Sequence, residues 1–433
     1  MPFEALRGFR DYPPPDAGAR SEILRRMRAV ARRCGYSELE LPSVESSDLY
    51  RVKSGGELGE EIWKFTDRGG REVALAPEST PSLARIFADR AKAEPLPVKW
   101  FCVEKLWRYE EPQAGRTREF TQFNLDVLGA PGVDAVVDIL ATAALAMDEV
   151  GAAGQYLFRV NDRELAAGLG ASLGATDTDL FFRALDRFRK IPRAEFRDQL
   201  VASGVRAGTA SDWADRLEGA RAGLQGTGAE AFFDAVGGAA LPRPAHDGVA
   251  RLRELLGLVQ RIGLGDRVVF DPTIVRGLAY YTSTVFEAYP RADDSRALFG
   301  GGRYDGLIGL FGGPPTPACG VAIGDITLEL LLRAHGTWPE GEPPLDTFVA
   351  AVTAEDRAEA FAWVERLRRA GVSATCDLMG RTLSRQLKDA ARQRARRALI
   401  LGPAERAKGV IVERDLATGM QRERTPAEVV PSA

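Results

Sequence analysis

Two runs of residues, 98–109 and 120–128, are rich in aromatic and β-branched side chains and predict two strands. Pro112 and Gly115 mark the loop between them, which carries Arg116 and Arg118. Side chains alternate across a strand. Gln122, Asn124 and Asp126 therefore share one face of the second strand, and Phe123, Leu125 and Val127 share the other. Arg108 and Glu110 share a face in the same way. A polar row flanked by apolar runs is either a solvated face or the floor of a binding site.

The remaining pattern places these strands in a larger frame. Residues 17–34 carry Ile23, Met27, Val30 and Ala31 at helical spacing, and Gly35 ends the helix. Residues 36–44 predict a strand, and Pro42 within it predicts an edge position. Residues 62–66 and 72–76 predict a hairpin around Asp67-Arg68-Gly69-Gly70. Thr80 before Pro81 reads as a helix N-cap with proline at the first helical position. A helix over 132–150 and a strand over 157–161 follow, and Asn161-Asp162-Arg163 begins another helix. From about 165 to 265 the chain is rich in Ala, Arg and Gly with helical periodicity and carries no recognisable chemistry. The stretch leading to Glu287 is a strand by composition. Gly300-Gly301-Gly302-Arg303-Tyr304-Asp305 lacks the Gly-Lys-Ser/Thr of a P-loop and the spacing of a dinucleotide fingerprint. Residues 320–330 read as a strand entering a helix.

Pro339, Gly341, Pro343 and Pro344 mark a linker at 339–345. Beyond it, elements at 347–352, 354–370, 371–376, 381–396 and 397–402 alternate strand and helix and predict a small parallel α/β domain. Helix 381–396 sets Arg381, Arg385, Lys388, Arg392 and Arg396 along one side, with Leu383, Leu387 and Ala391 apolar. That stripe is either a solvated face or a surface for an RNA backbone.

A chain of 433 residues is too long for one ordinary core and implies two or three domains. The net charge of -3 supplies no global basic field, so a nucleic-acid partner must meet local patches. The Cys residues at 34, 102, 319 and 376 are scattered and only His246 and His335 are present, which argues against a zinc site or a disulfide framework. With no apolar run long enough to span a bilayer and no signal-peptide core at the N-terminus, the expectation is a cytoplasmic protein that does not enter a membrane.

Arg108-Tyr109-Glu110, the Gly115-Arg116 loop and Arg118-Glu119-Phe120-Thr121-Gln122-Phe123 resemble motif 2 of the class II aminoacyl-tRNA synthetases, in the form of the histidyl-tRNA synthetase family. Four more stretches are similar to that family: Gly8-Phe9-Arg10-Asp11 to its N-terminal arm, Pro77-Glu78-Ser79-Thr80 to its Pro-Glu-x-Thr signature, Arg276-Gly277-Leu278-Ala279-Tyr280-Tyr281 to its histidine motif, and the run 300–305 to its Gly-Gly-Arg-Tyr-Asp strand. Ala279 stands where Asp is usual, as in a subgroup of the family that reads Arg-Gly-Leu-Ala-Tyr-Tyr. Residues 320–330 resemble motif 3, but its usual Arg, which meets adenine and the γ-phosphate, falls at Thr327.

The resemblance implies a catalytic domain at 1–338 with an antiparallel sheet, helices and a helical insertion, and an anticodon-binding domain at 346–433. The insertion either helps grip tRNA or is a structural module. Activity would be formation of histidyl-adenylate from L-histidine and ATP, then transfer to tRNA(His), with Mg²⁺ on the β and γ phosphates. The implied catalytic residues are Arg108 and Arg276, beside the α-phosphate. Glu78, Ser79, Thr80, Gln122, Asp126, Tyr280, Tyr281 and Tyr304 would bind histidine. Arg108, Glu110, Arg116, Phe120 and Arg276 would bind ATP, and Arg381, Arg385, Lys388 and Arg392 would bind tRNA. The motif 1 region at 17–44 implies a homodimer. The alternative is a synthetase-like regulatory subunit of the ATP phosphoribosyltransferase that senses histidine, which the missing motif 3 Arg favours and the C-terminal domain opposes.

Overall fold

A computed structural model describes residues 3–51, 61–220, 223–237, 241–277, 280–292, 296–341 and 345–429. Leu278 and Ala279 of the histidine-type motif, and Pro343 and Pro344 of the linker, lie outside the described residues. The chain forms two compact units, Met1–Pro339 and Glu340–Ala433.

Strands are numbered in chain order. In the first unit they are β1 Ser37–Glu38, β2 Val44–Ser46, β3 Lys64–Thr66, β4 Glu72–Leu75, β5 Val98–Trp107, β6 Glu119–Leu128, β7 Tyr156–Asp162, β8 Val268–Phe270, β9 Thr284–Pro290, β10 Phe299–Arg303 and β11 Ala318–Gly324. Among the described residues, eight of these form one sheet in the order β1-β5-β6-β11-β10-β9-β7-β8. From β5 through β7 the neighbours are antiparallel, whereas β1 joins β5, and β8 joins β7, in parallel. The expected pair of long strands is present, with Trp107 opposite Glu119 and Val98 opposite Leu128.

One face of this sheet is dry. Phe101, Phe123, Leu125 and Val127 pack against Ile23, Met27 and Val30 of helix Asp16–Arg33 and Val136, Ile139 and Leu140 of helix Asp134–Met147. Each such side chain contributes about 1.5–3 kcal/mol when fully buried. Once the odd-numbered residues of β6 are committed to that core, its even-numbered polar residues must emerge on the opposite face.

Three local expectations are corrected. Residues 36–44 do not form one strand. Pro42 has no N–H to give a ladder, and the chain divides there into β1, at the edge of the large sheet, and β2, in a separate sheet ordered β2-β4-β3. Thr80 is not a helix cap: Ser79 holds the N-cap of helix Thr80–Arg90, without a side-chain bond to the helix. The sheet of the second unit is mixed rather than parallel. Its strands are β12 Thr347–Ala351, β13 Ala374–Cys376, β14 Arg397–Leu401, β15 Ile411–Asp415 and β16 Gln421–Arg424, in the order β13-β12-β14-β15-β16. β12 is parallel to β13 and β14, but β14–β15 and β15–β16 are antiparallel. The turn at Asp415, whose Oδ1 accepts from the backbone of Ala417 and Thr418, is too short for the crossover that a parallel strand requires.

The helical stretch folds as expected and is fastened to the sheet by ion pairs. Its first helix, Arg163–Ser172, is capped by Asp162, which accepts from the N–H groups of Glu164 and Leu165. Asp162 also receives Nε and Nη2 of Arg251, from helix Arg243–Arg261, at 2.9 Å each. Between these helices, Arg189 donates at 2.6 Å to Asp271, which follows β8. The same carboxylate takes Arg159 of β7 at 3.0 Å and both the N–H and the hydroxyl of Thr273. Asp271 is completely buried. Replacing it by Ala leaves two buried guanidinium groups without this carboxylate, and Asp271→Ala should lower unfolding free energy by about 3–5 kcal/mol in denaturant titrations.

Candidate active site

The polar face of the sheet is the floor of a cleft of about 630 Å³. Gln122, Asn124 and Asp126 of β6 all line it, as their alternation requires. Their partners across β11 are Gly324, Ala322 and Gly320, so each polar side chain faces a residue too small to cover it. At Gly320 this is strict: an added Cβ would lie 2.2 Å from Asp126 Oδ1. At Gly300 of β10 it would lie 2.6 Å from Arg276 Nη1.

One end of the cleft holds two buried carboxylates and three tyrosines. Tyr304 donates its hydroxyl to Asp126 Oδ1 at 2.5 Å, and Tyr280 donates to Glu78 Oε2 at 2.9 Å. The Tyr280 ring lies 5.0 Å from Tyr281 and 6.0 Å from Tyr304, the latter edge-on. Burial pushes the Asp126 carboxyl up to about 7, against the lowering effect of the Tyr304 bond. Burial likewise raises Glu78, opposed by Arg108. Asp126 Oδ2 and Asn124 Oδ1 are buried and have no partner among the described residues. Buried acceptors of this kind are normally satisfied, and here both face the cleft.

The other end is cationic. Arg108 donates Nε to the Pro77 carbonyl at 3.0 Å and stacks 5.3 Å from the Phe120 ring. Glu110 lies between Arg108, at 3.8 Å, and Arg116, at 3.2 Å. Arg276 donates Nη1 to Glu287 Oε1 at 2.6 Å, and Glu287 also accepts from the Tyr289 hydroxyl at 2.7 Å. Arg276 has φ 59, a left-handed conformation that a non-glycine residue rarely adopts. Arg163, from the first helix of the insertion, holds it there by donating to the carbonyls of Val275 and Arg276.

The fold thus gathers Glu78, Thr80, Arg108, Glu110, Arg116, Phe120, Gln122, Asp126, Arg276, Tyr280, Tyr281 and Tyr304 around one cavity. Ser79 is not brought to it. It lines instead a separate small pocket with residues 41–43 and the end of β5. Thr327 lines the cleft, but its hydroxyl donates to the Leu298 carbonyl at 2.7 Å. Arg303, within the Gly-rich strand, turns away and binds Asp305 and the carbonyls of Ala130 and Gly132. Sequence reasoning missed Asn124, Glu287, Tyr289, Arg296 and, from the insertion, Arg189 and Lys190, all of which line the cleft. Only Asn124 carried a signal, its place in the alternating row.

In the second unit the basic stripe is partly neutralised. Arg381 precedes helix Leu383–Arg392 and pairs with Asp377 and Asp389, and Arg392 pairs with the same Asp389. Arg396 pairs with Asp346. Among the described residues no carboxylate pairs with Arg385 or Lys388, which are exposed.

An antiparallel sheet with helices on one face and a ligand-sized polar floor on the other is the class II aminoacyl-tRNA synthetase fold. The chain shares it with the solved structures of histidyl-tRNA synthetase from Nostoc sp. PCC 7120 and from S. aureus. The TM-scores are 0.82 and 0.73 at 23% and 22% identity, and each comparison covers 99% of this chain and 98% of the other. Residues 8–326 match the family model for histidyl-tRNA synthetase, and residues 346–432 match an anticodon binding domain. The histidine–tRNA ligases of Halobacterium salinarum and Thermoplasma volcanium are 38% and 37% identical to it, over 100% of this chain and 98% of each relative. The chain belongs to the histidyl-tRNA synthetase family.

The raised carboxyl of Asp126 has a consequence for stability. In the unfolded chain this group titrates near 3.8, and in the fold near 7. Between those values the folded state holds the proton and the unfolded state does not, so stability falls as pH rises through that interval. Asp126→Asn removes the dependence. At pH 8 and without ligand, the variant should be more stable than wild type by roughly 1–3 kcal/mol, measured by denaturant unfolding. A difference that grows as the pH is lowered would contradict the assignment.

Proposed function

We propose that this chain is a histidine–tRNA ligase that activates L-histidine with ATP and transfers the histidyl group to tRNA(His). One observation carries the reading: a single cleft joins a cation-lined end to a pair of buried carboxylates framed by tyrosines. A phosphate-bearing nucleotide suits the first, and a small molecule with an ammonium group and ring N–H groups suits the second.

In this reading Glu78 and Thr80 hold the α-ammonium group, since a buried carboxylate is its natural partner. Gln122 and Asp126 bind the imidazole, and Asp126 Oδ2, unpaired among the described residues, accepts a ring N–H. Tyr280, Tyr281 and Tyr304 enclose the ring. A different side chain would leave these buried groups unsatisfied, which is how such a pocket discriminates. Phe120 stacks on adenine and Glu110 contacts the same end. Arg108 and Arg276 flank the α-phosphate, where negative charge grows as the histidine carboxylate attacks phosphorus and pyrophosphate departs. The terminal ribose hydroxyl of tRNA then attacks the adenylate carbonyl. Neither step requires a protein nucleophile, only positioning and fixed positive charge.

Mg²⁺, when bound with ATP, would supply positive charge to the β and γ phosphates. Among the described residues no three His, Cys, Asp or Glu side chains converge on one point. Mg²⁺ held mainly by phosphates and water needs only one or two carboxylates, and Glu110 and Glu287 line the cleft in positions to supply them. The C-terminal unit binds the anticodon region of tRNA, with Arg385 and Lys388 as cations that meet phosphate and Arg381 and Arg392 as the ends of the ion-paired cluster. The region at 17–44 forms the interface of a homodimer, supported by the place of β1 at the edge of the large sheet. No helix among the described residues is long and apolar enough to cross a membrane, and the proposed site of action is the cytoplasm.

Histidine-dependent ATP–pyrophosphate exchange tests the reading. Arg276→Ala should lower the exchange rate at least about 100-fold with histidine binding largely kept, whereas Glu78→Ala should raise the histidine requirement far more than that for ATP. A wild-type chain that binds histidine without exchange would instead support the histidine-sensor alternative. A chain ending at Pro339 should retain exchange and lose most tRNA charging. Equal charging by the shortened and full-length chains would remove the role given to the second unit.

A further inference from the structure

The wall of the cleft near Thr327 holds a cation with no role in the mechanism above. Arg296 leads into β10, and its side chain is half-buried in that wall. Nη1 donates to the carbonyl of Ala114, in the loop between β5 and β6. A Cβ built on the neighbouring Gly115 would lie 2.9 Å from Arg296 Nη1 and 3.5 Å from Thr327 Cγ2. The guanidinium and the threonine methyl therefore flank the same point. Because the Thr327 hydroxyl donates to the Leu298 and Gly324 carbonyls, that residue offers the cleft no charge and no spare donor.

The other cations around the cleft are balanced. Arg108 and Arg116 share Glu110, Arg276 has Glu287, Arg189 has Asp271 and Lys190 has Asp186. Arg296 has a carbonyl, and among the described residues no carboxylate is within ion-pair distance of it. Burial first, and then the nearby Arg116, push its guanidinium below the usual range, and Glu110 partly offsets them. A half-buried guanidinium that has only a carbonyl as its hydrogen-bond partner among the described residues keeps donors that an anion in the cleft would satisfy.

We propose that Arg296 binds the terminal phosphates of ATP, acting as the polyphosphate-binding cation at the Thr327 end of the cleft. The inference rests on reading the cleft as an ATP site. The α-phosphate lies between Arg108 and Arg276, and the chain beyond it runs toward Arg116 and Arg296. Sequence position would not suggest this residue, because the cation comes from the approach to β10 and not from the helix that follows β11.

Equilibrium binding of ATP and of AMP to the full-length protein tests the assignment. Arg296→Gln removes the charge and keeps a donor for the Ala114 carbonyl. It should weaken ATP about 10- to 100-fold, the loss of a charge-assisted contact, and leave AMP unchanged. Arg296→Ala, should the Gln variant fold poorly, makes the same comparison. Adding Thr327→Arg to either should restore ATP binding, since it returns a cation to the same point from another element. A role as a loop tether alone would move ATP and AMP together and would not be rescued, and that result overturns the proposal, as does wild-type ATP affinity in the variant. Absence of histidine-dependent exchange in the wild type would sink the synthetase reading, while the ATP-over-AMP comparison would still decide the role of Arg296.

Discussion

A carboxylate in the middle of a β-sheet is costly, and the arrangement around Asp126 shows what permits it. Its strand is held between two antiparallel neighbours, and its apolar alternates are locked in the core beneath. The strand therefore cannot slip by one residue without turning Phe123, Leu125 and Val127 out of that core. Glycine at position 320 leaves room for the carboxyl, and Tyr304 satisfies one of its oxygens. The other oxygen has no partner among the described residues. The floor of the site, its polarity and its depth all depend on this register.

The same logic of partial satisfaction extends to the cations. Arg108, Arg116 and Arg276 are each steadied by a carboxylate or carbonyl of the chain. Such contacts hold a guanidinium in one orientation, so that little reorganisation would remain on binding the phosphates proposed above. The unusual backbone of Arg276 fits this pattern, because Glu287 and Arg163 fix it from two elements. The insertion is tied into the same frame: Arg163 and Arg189 connect it to the segment that carries Arg276.

Charge read along a helix can mislead. The stripe from Arg381 to Arg396 looks uniformly basic by spacing, but Asp377, Asp389 and Asp346 pair with three of its members. Asp389 lies on the same helix and is buried. What remains for an outside anion is narrower than the spacing implies.

Much of this was legible in the residues themselves. Alternation from Gln122 to Asp126 set which side chains share a face, because the strand period is two and the apolar partners have only one place to go. The motifs around Glu78, Arg108, Arg276 and Tyr280 identified the family. Other features were decided only by the tertiary structure. Pro42 could be read as an interruption, but not that the pieces would join different sheets. Ser79 lies inside a recognised signature, yet it is not among the residues that line the cleft. Arg296, Glu287 and Arg189 come from three separate stretches, and nothing in their spacing relates them. Local pattern determines which face a residue occupies on its own element. Which distant residues converge on that face depends on sheet order and loop path, and these are set by packing between elements far apart in the chain.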